Sequence, residues 1–168
     1  MSAAPPDEID REGVATLRTC WDLRCKRGSG RLESMGPRQD RFAVERRTDG
    51  SLRIVRRHQT APALACWPVA GGGPGLTVVA DAGIGSLAPS PAGDGSWNVA
   101  SPGGSTVARF SPAAASQGVL TPAGELLVAL KKHGLRAGSW SLDPSAAAKA
   151  PTPVDPLLVV ALVAHLLT

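Results

Sequence analysis

The feature that most constrains this chain is its end. Residues 156–168 read PLLVVALVAHLLT, without a charge or a glycine, while everything upstream is cut into short runs by Gly, Pro and Ser. The start signals of a helix are in place. Asp155 can accept hydrogen bonds from the free amides of a first turn. Pro156 suits the first helical position, where its fixed φ fits and its missing N–H is not needed. Val154 and Val159 are spaced as a hydrophobic staple. Past that turn the residues are apolar on every side, and such a helix must be surrounded by protein or by lipid. Its length favours protein. Thirteen residues at ~1.5 Å each span roughly 20 Å, against about 30 Å for a bilayer core, and no basic or aromatic anchor follows. The sequence therefore predicts a helix over 156–168 buried in the chain's own core, with no full transmembrane span.

The body reads as strands. At 168 residues the chain is long enough for one domain with a sizeable core. Residues 1–13 are rich in Ala, Pro and acids, lack the apolar run of a secretory signal, and read as a flexible N-terminus before a single domain over 14–168. Residues 14–23 (VATLRTCWDL) read as a first strand on β-propensity, and the basic, Gly-punctuated 25–36 as a loop. Residues 41–57 form the clearest hairpin. With Thr48-Asp49-Gly50 as a three-residue loop and Gly at the left-handed position, Arg47 faces Ser51, Arg46 faces Leu52, Glu45 faces Arg53, Val44 faces Ile54 and Phe42 faces Arg56. That register collects Phe42, Val44, Leu52 and Ile54 on one face. A short strand at 64–69 and a loop through Gly71–Gly75 follow. A second hairpin spans 76–87 around Asp81-Ala82-Gly83. A third spans 97–110, with Gly103-Gly104 as its turn, Ser101 facing Thr106, Val99 facing Ala108 and Trp97 facing Phe110. Residues 124–130 are readable as strand or short helix, and the repeated strand spacing favours strand. A last strand at 138–142 and an Ala/Pro linker over 143–153 lead into the helix. Antiparallel hairpins closing into a barrel around that helix would satisfy both the sheet edges and the helix.

The motifs of common chemistries are missing. Cys20, Cys25, His58 and Cys66 offer four zinc ligands, but their spacing matches no common finger. Three small buried or half-buried thiols in a reducing compartment is the simpler reading, which points to a cytoplasmic protein. Gly71–Gly75 lacks the Gly-Lys-Ser/Thr of a phosphate loop. Neither a Gly-x-Ser-x-Gly elbow nor a His-Glu-x-x-His helix occurs, and the 143–155 stretch has calcium-loop length without acids between its ends. His165 reads as a helix-end residue. Lys131, Lys132 and His133 read as a solvated turn with an anion contact as the sharper option, and Asp81, Asp94 and Glu125 as turn and strand-end residues. No catalytic residue, metal or cofactor is expected.

Charge is distributed unevenly. Residues 1–58 hold 13 Lys and Arg against 9 Asp and Glu, whereas 59–168 hold 5 against 5. Nearly all of the excess is arginine, whose planar fork suits phosphate oxygens. A solvated strand face is the plain alternative. With 4 Trp, 2 Phe and no Tyr, the chain lacks the stacking platforms of single-strand nucleic-acid binders.

The order of these features resembles the tubby C-terminal-like group, which includes the phospholipid scramblases and the LURP-one-related proteins. The resemblance is carried over residues 40–168 by TVVADAGIG at 77–85, DGSWNV at 94–99 with GSTVA at 104–108, GELLVALKK at 124–132, GSWSL at 138–142, and the closing apolar helix entered through Asp155. It implies a twelve-stranded barrel around that helix and association with membrane phospholipids or phosphoinositides in place of catalysis. Arg46, Arg47, Arg53, Arg56, Arg57, Lys131 and Lys132 are the candidates to meet anionic headgroups, at the membrane periphery. A structural barrel that binds a protein partner, and arginine-mediated binding of structured nucleic acid, are the alternatives.

Overall fold

The computed structural model describes residues 8–69, 73–114, 118–132 and 138–168. Residues 70–72 of the glycine loop, His133 and the first seven residues of the N-terminal segment lie outside them. The described residues form an N-terminal helix α1 (Arg11–Thr19), thirteen strands and a C-terminal helix α2 (Pro156–Leu167). The strands are β1 (Leu23–Lys26), β2 (Arg31–Ser34), β3 (Asp40–Arg46), β4 (Leu52–Arg56), β5 (Leu64–Pro68), β6 (Leu76–Val79) and β7 (Gly83–Pro89), then β8 (Trp97–Ala100), β9 (Thr106–Phe110), β10 (Val119–Leu120), β11 (Leu126–Val128), β12 (Leu130–Lys132) and β13 (Ser139–Leu142). All belong to one antiparallel sheet in the order β11-β10-β9-β8-β7-β6-β5-β4-β3-β2-β1-β13-β12.

The two ends of that order, β11 and β12, are separated in sequence by Ala129 alone. One run of chain therefore pairs with β10 through its first half and with β13 through its second. The sheet wraps into a nearly closed barrel with this run as its seam. Gly118 holds the seam tight: its φ is +101°, and a Cβ there would strike the Val128 carbonyl oxygen and lie 3.0 Å from Ala129 Cα.

Helix α2 fills the barrel. Asp155 accepts from the Leu157 amide at 3.0 Å as its N-cap, with Pro156 next. Every residue from Leu157 to Ala164 is no more than 2% exposed. The barrel wall supplies the partners, with Leu23, Leu32, Phe42, Ile54, Leu64, Val78, Leu87, Val99 and Phe110 buried against the helix or one another. At Gly85 the wall lies close against the helix. The φ of this glycine is +150°, and a Cβ would meet the Ala100 carbonyl and come within 2.8 Å of Leu158 Cδ2.

The β3–β4 register matches the sequence reading, from Phe42 opposite Arg56 to Arg46 opposite Leu52, with Arg47 N–H donating to the Ser51 carbonyl at 2.9 Å. The same loop recurs twice. Ser101 and Ser105 close over Pro102-Gly103-Gly104, and Thr121 and Glu125 over Pro122-Ala123-Gly124. Gly50, Gly104 and Gly124 end the three loops at φ values of 88°, 90° and 90°. In the β8–β9 hairpin the third loop residue displaces the tip by one. Trp97 opposes Phe110 and Val99 opposes Ala108, but Thr106 opposes Ala100 instead of Ser101.

The N-terminal third departs furthest from expectation. Residues 11–19 are helix, not strand. Asp10 caps the Gly13 amide at 3.1 Å, and the buried set Gly13, Val14, Thr16 and Leu17 lies on one helical face. The β-branched Thr16 and Thr19 donate to the Glu12 and Ala15 carbonyls, which satisfies their hydroxyls within the helix. The basic 25–36 segment is not a loop, because β1 and β2 form a hairpin through it. The 143–153 linker contains a 3-10 helix at Pro144–Lys149, whose Ala147 is fully buried.

Candidate functional site

The barrel wall has two unlike halves. Strands β5 to β11 carry a single charged residue, Arg109. The contiguous strands β12, β13, β1, β2, β3 and β4 carry nine cations and three anions. Because alternate residues face opposite sides of a strand, Arg24, Lys26, Arg31, Arg41, Arg53 and Lys131 point outward on this half, joined only by Glu33 and Glu45. Cross-strand register sets one line across it, from Lys131 through Ser141, Arg24 and Glu33 to Arg41. Arg57 extends the line, its amide donating to the Arg41 carbonyl at 2.8 Å. Six strands at ~4.8 Å spacing make this line roughly 25 Å long. Between β2 and β3 lies an open groove of about 390 Å³ lined by Arg31, Glu33, Arg41, Ala43 and Arg57.

The seven cations singled out from sequence do not share one face. Arg56 points inward opposite Phe42 and is 9% exposed, 2.9 Å from Asp10 Oδ2 and 3.1 Å from Glu12 Oε2. Burial alone would lower its pKa, and the Asp10, Glu12 and Asp40 carboxylates reverse this and hold it up. Arg46 also lies on the inner face, at the barrel rim. It donates to the Ala164 and His165 carbonyls at 2.9 and 3.1 Å and so caps the C-terminus of α2, where a cation is favoured. Both guanidiniums are engaged by internal partners, Arg56 in a buried position and Arg46 on a residue that stays exposed. Arg53 faces outward but donates to the Thr60 carbonyl at 2.9 Å, with Glu45 at 3.9 Å. Arg47, Arg57, Lys131 and Lys132 are exposed.

The outward cations that sequence reading missed are Arg24, Lys26, Arg31 and Arg41. The first three lie in or beside the segment read as a loop. Their alternation with Leu23, Cys25 and Leu32, all buried, was the strand signal available. Arg41 is 3.7 Å from Glu33, and Arg24 is 3.3 Å from Asp22. Arg24 Nε is buried with no hydrogen-bond partner among the described residues.

The remaining polar groups have structural roles. Asp49 and Asp94 accept from the Ser51 and Ser96 hydroxyls and, second, from the amides of the same serines, and these bonds hold both carboxyls below the ordinary range. Asp81 pairs with Arg18 at 3.0 Å, and Arg18 bridges to Asp155 at 3.1 Å, tying α1 to the start of α2. His165 sits edge-on to Trp97, ring centroids 4.9 Å apart. The three cysteines are free and buried. Among the described residues no group of His, Cys, Asp or Glu is placed to hold a metal ion, and no helix is long and apolar enough to cross a membrane.

No known protein family, curated protein or solved structure matches the chain.

Proposed function

We propose that this protein is a non-enzymatic barrel module that associates peripherally, in the cytoplasm, with anionic phospholipid membranes, as the resemblance to the tubby C-terminal-like group implies. The observation that carries this reading is the confinement of nearly all strand cations to six contiguous strands. Each cation held near an anionic leaflet contributes about 1 kcal/mol, so several cations gathered on one half of the barrel bind where a single residue would not. The fold supports the same reading. A barrel closes around a C-terminal helix entered through Asp155, and counting β11 and β12 as one strand broken at Ala129 leaves twelve. Helix α2 is enclosed by the sheet, so the attraction is electrostatic and peripheral.

The test is vesicle flotation of the full chain with phosphatidylcholine alone, with added phosphatidylserine and with added phosphoinositide, at low and high salt. Binding to the anionic vesicles that disappears as salt shortens the Debye length supports the proposal. Binding that persists in high salt or is equal on neutral vesicles refutes the electrostatic account. An absence of binding leaves a barrel that serves a protein partner.

A further inference from the structure

Strand directions place the two ends of the barrel in different electrical environments. The end where α2 begins gathers α1 and the acids Asp10, Glu12, Asp81, Asp143 and Asp155, whose carboxylates engage Arg56, Arg18 and local turn groups. The end where α2 finishes carries the β1–β2 and β3–β4 hairpin tips and the end of β12. The described cations of these tips and of the end of β12 are Lys26, Arg27, Arg31, Arg46, Arg47 and Lys132, and Arg109 of β9, opposite Asn98, lies at the same end. Arg46 is taken by the α2 carbonyls, and the other five of the tips and β12 have no ion-pair partner among the described residues. The acids in the hairpin turns at this end, Asp49 and Asp94, are each tied into their own turn by a serine.

The β1–β2 tip is built to hold its cations outward. Gly28 and Gly30 take left-handed φ values of 76° and 63°. Ser29 N–H donates to the Lys26 carbonyl at 3.2 Å, and Val44 N–H donates to the Gly30 carbonyl at 2.7 Å, which fixes the tip to β3. Arg27 lies over the Trp140 ring, 5.4 Å from its centroid, and Lys132 is paired across the strands from Trp140. An indole beside several guanidinium and ammonium groups on a rigid rim matches the headgroup layer of an anionic bilayer, where amphipathic rings and cations both sit favourably.

Resting on the membrane-binding reading above, we infer that the barrel docks end-on, with the rim formed by the Lys26–Arg31 and Arg47–Ser51 turns, Lys132 and Trp140 entering the headgroup layer. The lateral cations Arg41, Arg53 and Arg57 then steer the approach without making the contact.

Two variants remove equal charge. Lys26→Ala/Arg31→Ala/Arg47→Ala clears the rim, and Arg41→Ala/Arg53→Ala/Arg57→Ala clears the side. At about fivefold per cation in contact, the rim variant loses on the order of 100-fold in affinity for phosphatidylserine vesicles, and the lateral variant stays within about threefold of wild type. Equal losses, or a larger lateral loss, overturn the end-on orientation while leaving membrane binding intact. Wild-type protein that ignores both phosphatidylserine and phosphoinositide vesicles removes the parent reading and this inference with it. A second readout does not depend on charge. Nitroxides at Thr48→Cys and Ala123→Cys, exposed turns at opposite ends, are read for shielding from an aqueous relaxant on vesicles. Shielding at 48 alone supports the orientation, and shielding at both or at 123 alone overturns it.

Discussion

Replacing Arg56 by alanine separates a structural arginine from a binding one. Its side chain is 9% exposed, and that of its partner Asp10 is 5% exposed. Arg56 gives Asp10 two hydrogen bonds, at 2.9 and 3.1 Å, while the Gly13 amide supplies a third at 3.1 Å. Without the guanidinium, Asp10 keeps the helix-cap bond but stays buried as an uncompensated anion beside Glu12 and Asp40. Breaking a buried pair from one side costs about 3 kcal/mol or more, and at this chain length ~3 kcal/mol lowers Tm by about 10 °C. Urea unfolding followed by circular dichroism, with the slope m unchanged, measures the loss. A cycle with Asp10→Asn recovers part of it, because the stranded charge is then gone. A loss under about 1 kcal/mol, or no coupling to Asp10, would refute the argument that this pair is desolvated and fixes α1 to the barrel. The folded variant keeps wild-type affinity for anionic vesicles, since Arg56 does not reach the surface.

Four further outcomes are expected. Leu162→Ala, at a fully buried position of α2, costs about 3 kcal/mol through the cavity it leaves, measured by the same urea titration. Gly85→Ala destabilises by at least about 2 kcal/mol, because its Cβ meets Leu158 and the Ala100 carbonyl, a backbone group. Burial, reinforced by the Arg46 charge, holds the His165 imidazole below its ordinary pKa. Its contribution to stability is therefore complete above about pH 6.5 and lost as pH falls through the folded-state value; NMR titration of Arg46→Met should show that pKa rise. Burial pushes the Cys25 thiol up to about 11 and the Cys66 thiol up to about 12. Ellman's reagent at pH 8 should therefore label neither in the folded protein, and both at the rate of unfolding, and prompt labelling under native conditions would contradict their burial.

The hairpins were legible because their determinants are local. Thr48-Asp49-Gly50 between two alternating runs sets a loop length and, through it, the whole β3–β4 register. Trp97 and Phe110 met across β8–β9 as their spacing required, although the extra loop residue at the tip was absorbed by a bulge. Helix α1 was misread because Val14, Thr16 and Thr19 favour strand on propensity. The Asp10 cap and a helically spaced buried face outweigh that preference once Ala63 and Pro62 are there to pack against and to accept the Asp10 amide. The β1–β2 hairpin was missed for a related reason. Its strands are only four residues each and take their neighbours from β13 and β3, so the alternation around Cys25 and Leu32 is short and is masked by the glycines of the turn between them.

The candidate site divides along the same line. The sequence by itself established that the positive charge is arginine-rich and confined mainly to the first third, that the second part is neutral, and that an all-round apolar helix ends the chain. Those are sums and periodicities, which need no partner to define them. Which arginines are available was decided only by tertiary structure. Arg46 and Arg56 look like their neighbours in the sequence, yet one closes the dipole of a helix 118 residues away and the other compensates an aspartate 46 residues away. Lys131 and Lys132 join the basic half only because β12 reaches around to β13 and β1. Strand order assembled the face, and the inward or outward side of each strand sorted its charges, because a pleated strand gives alternate residues to opposite sides and the barrel's interior was already filled by α2.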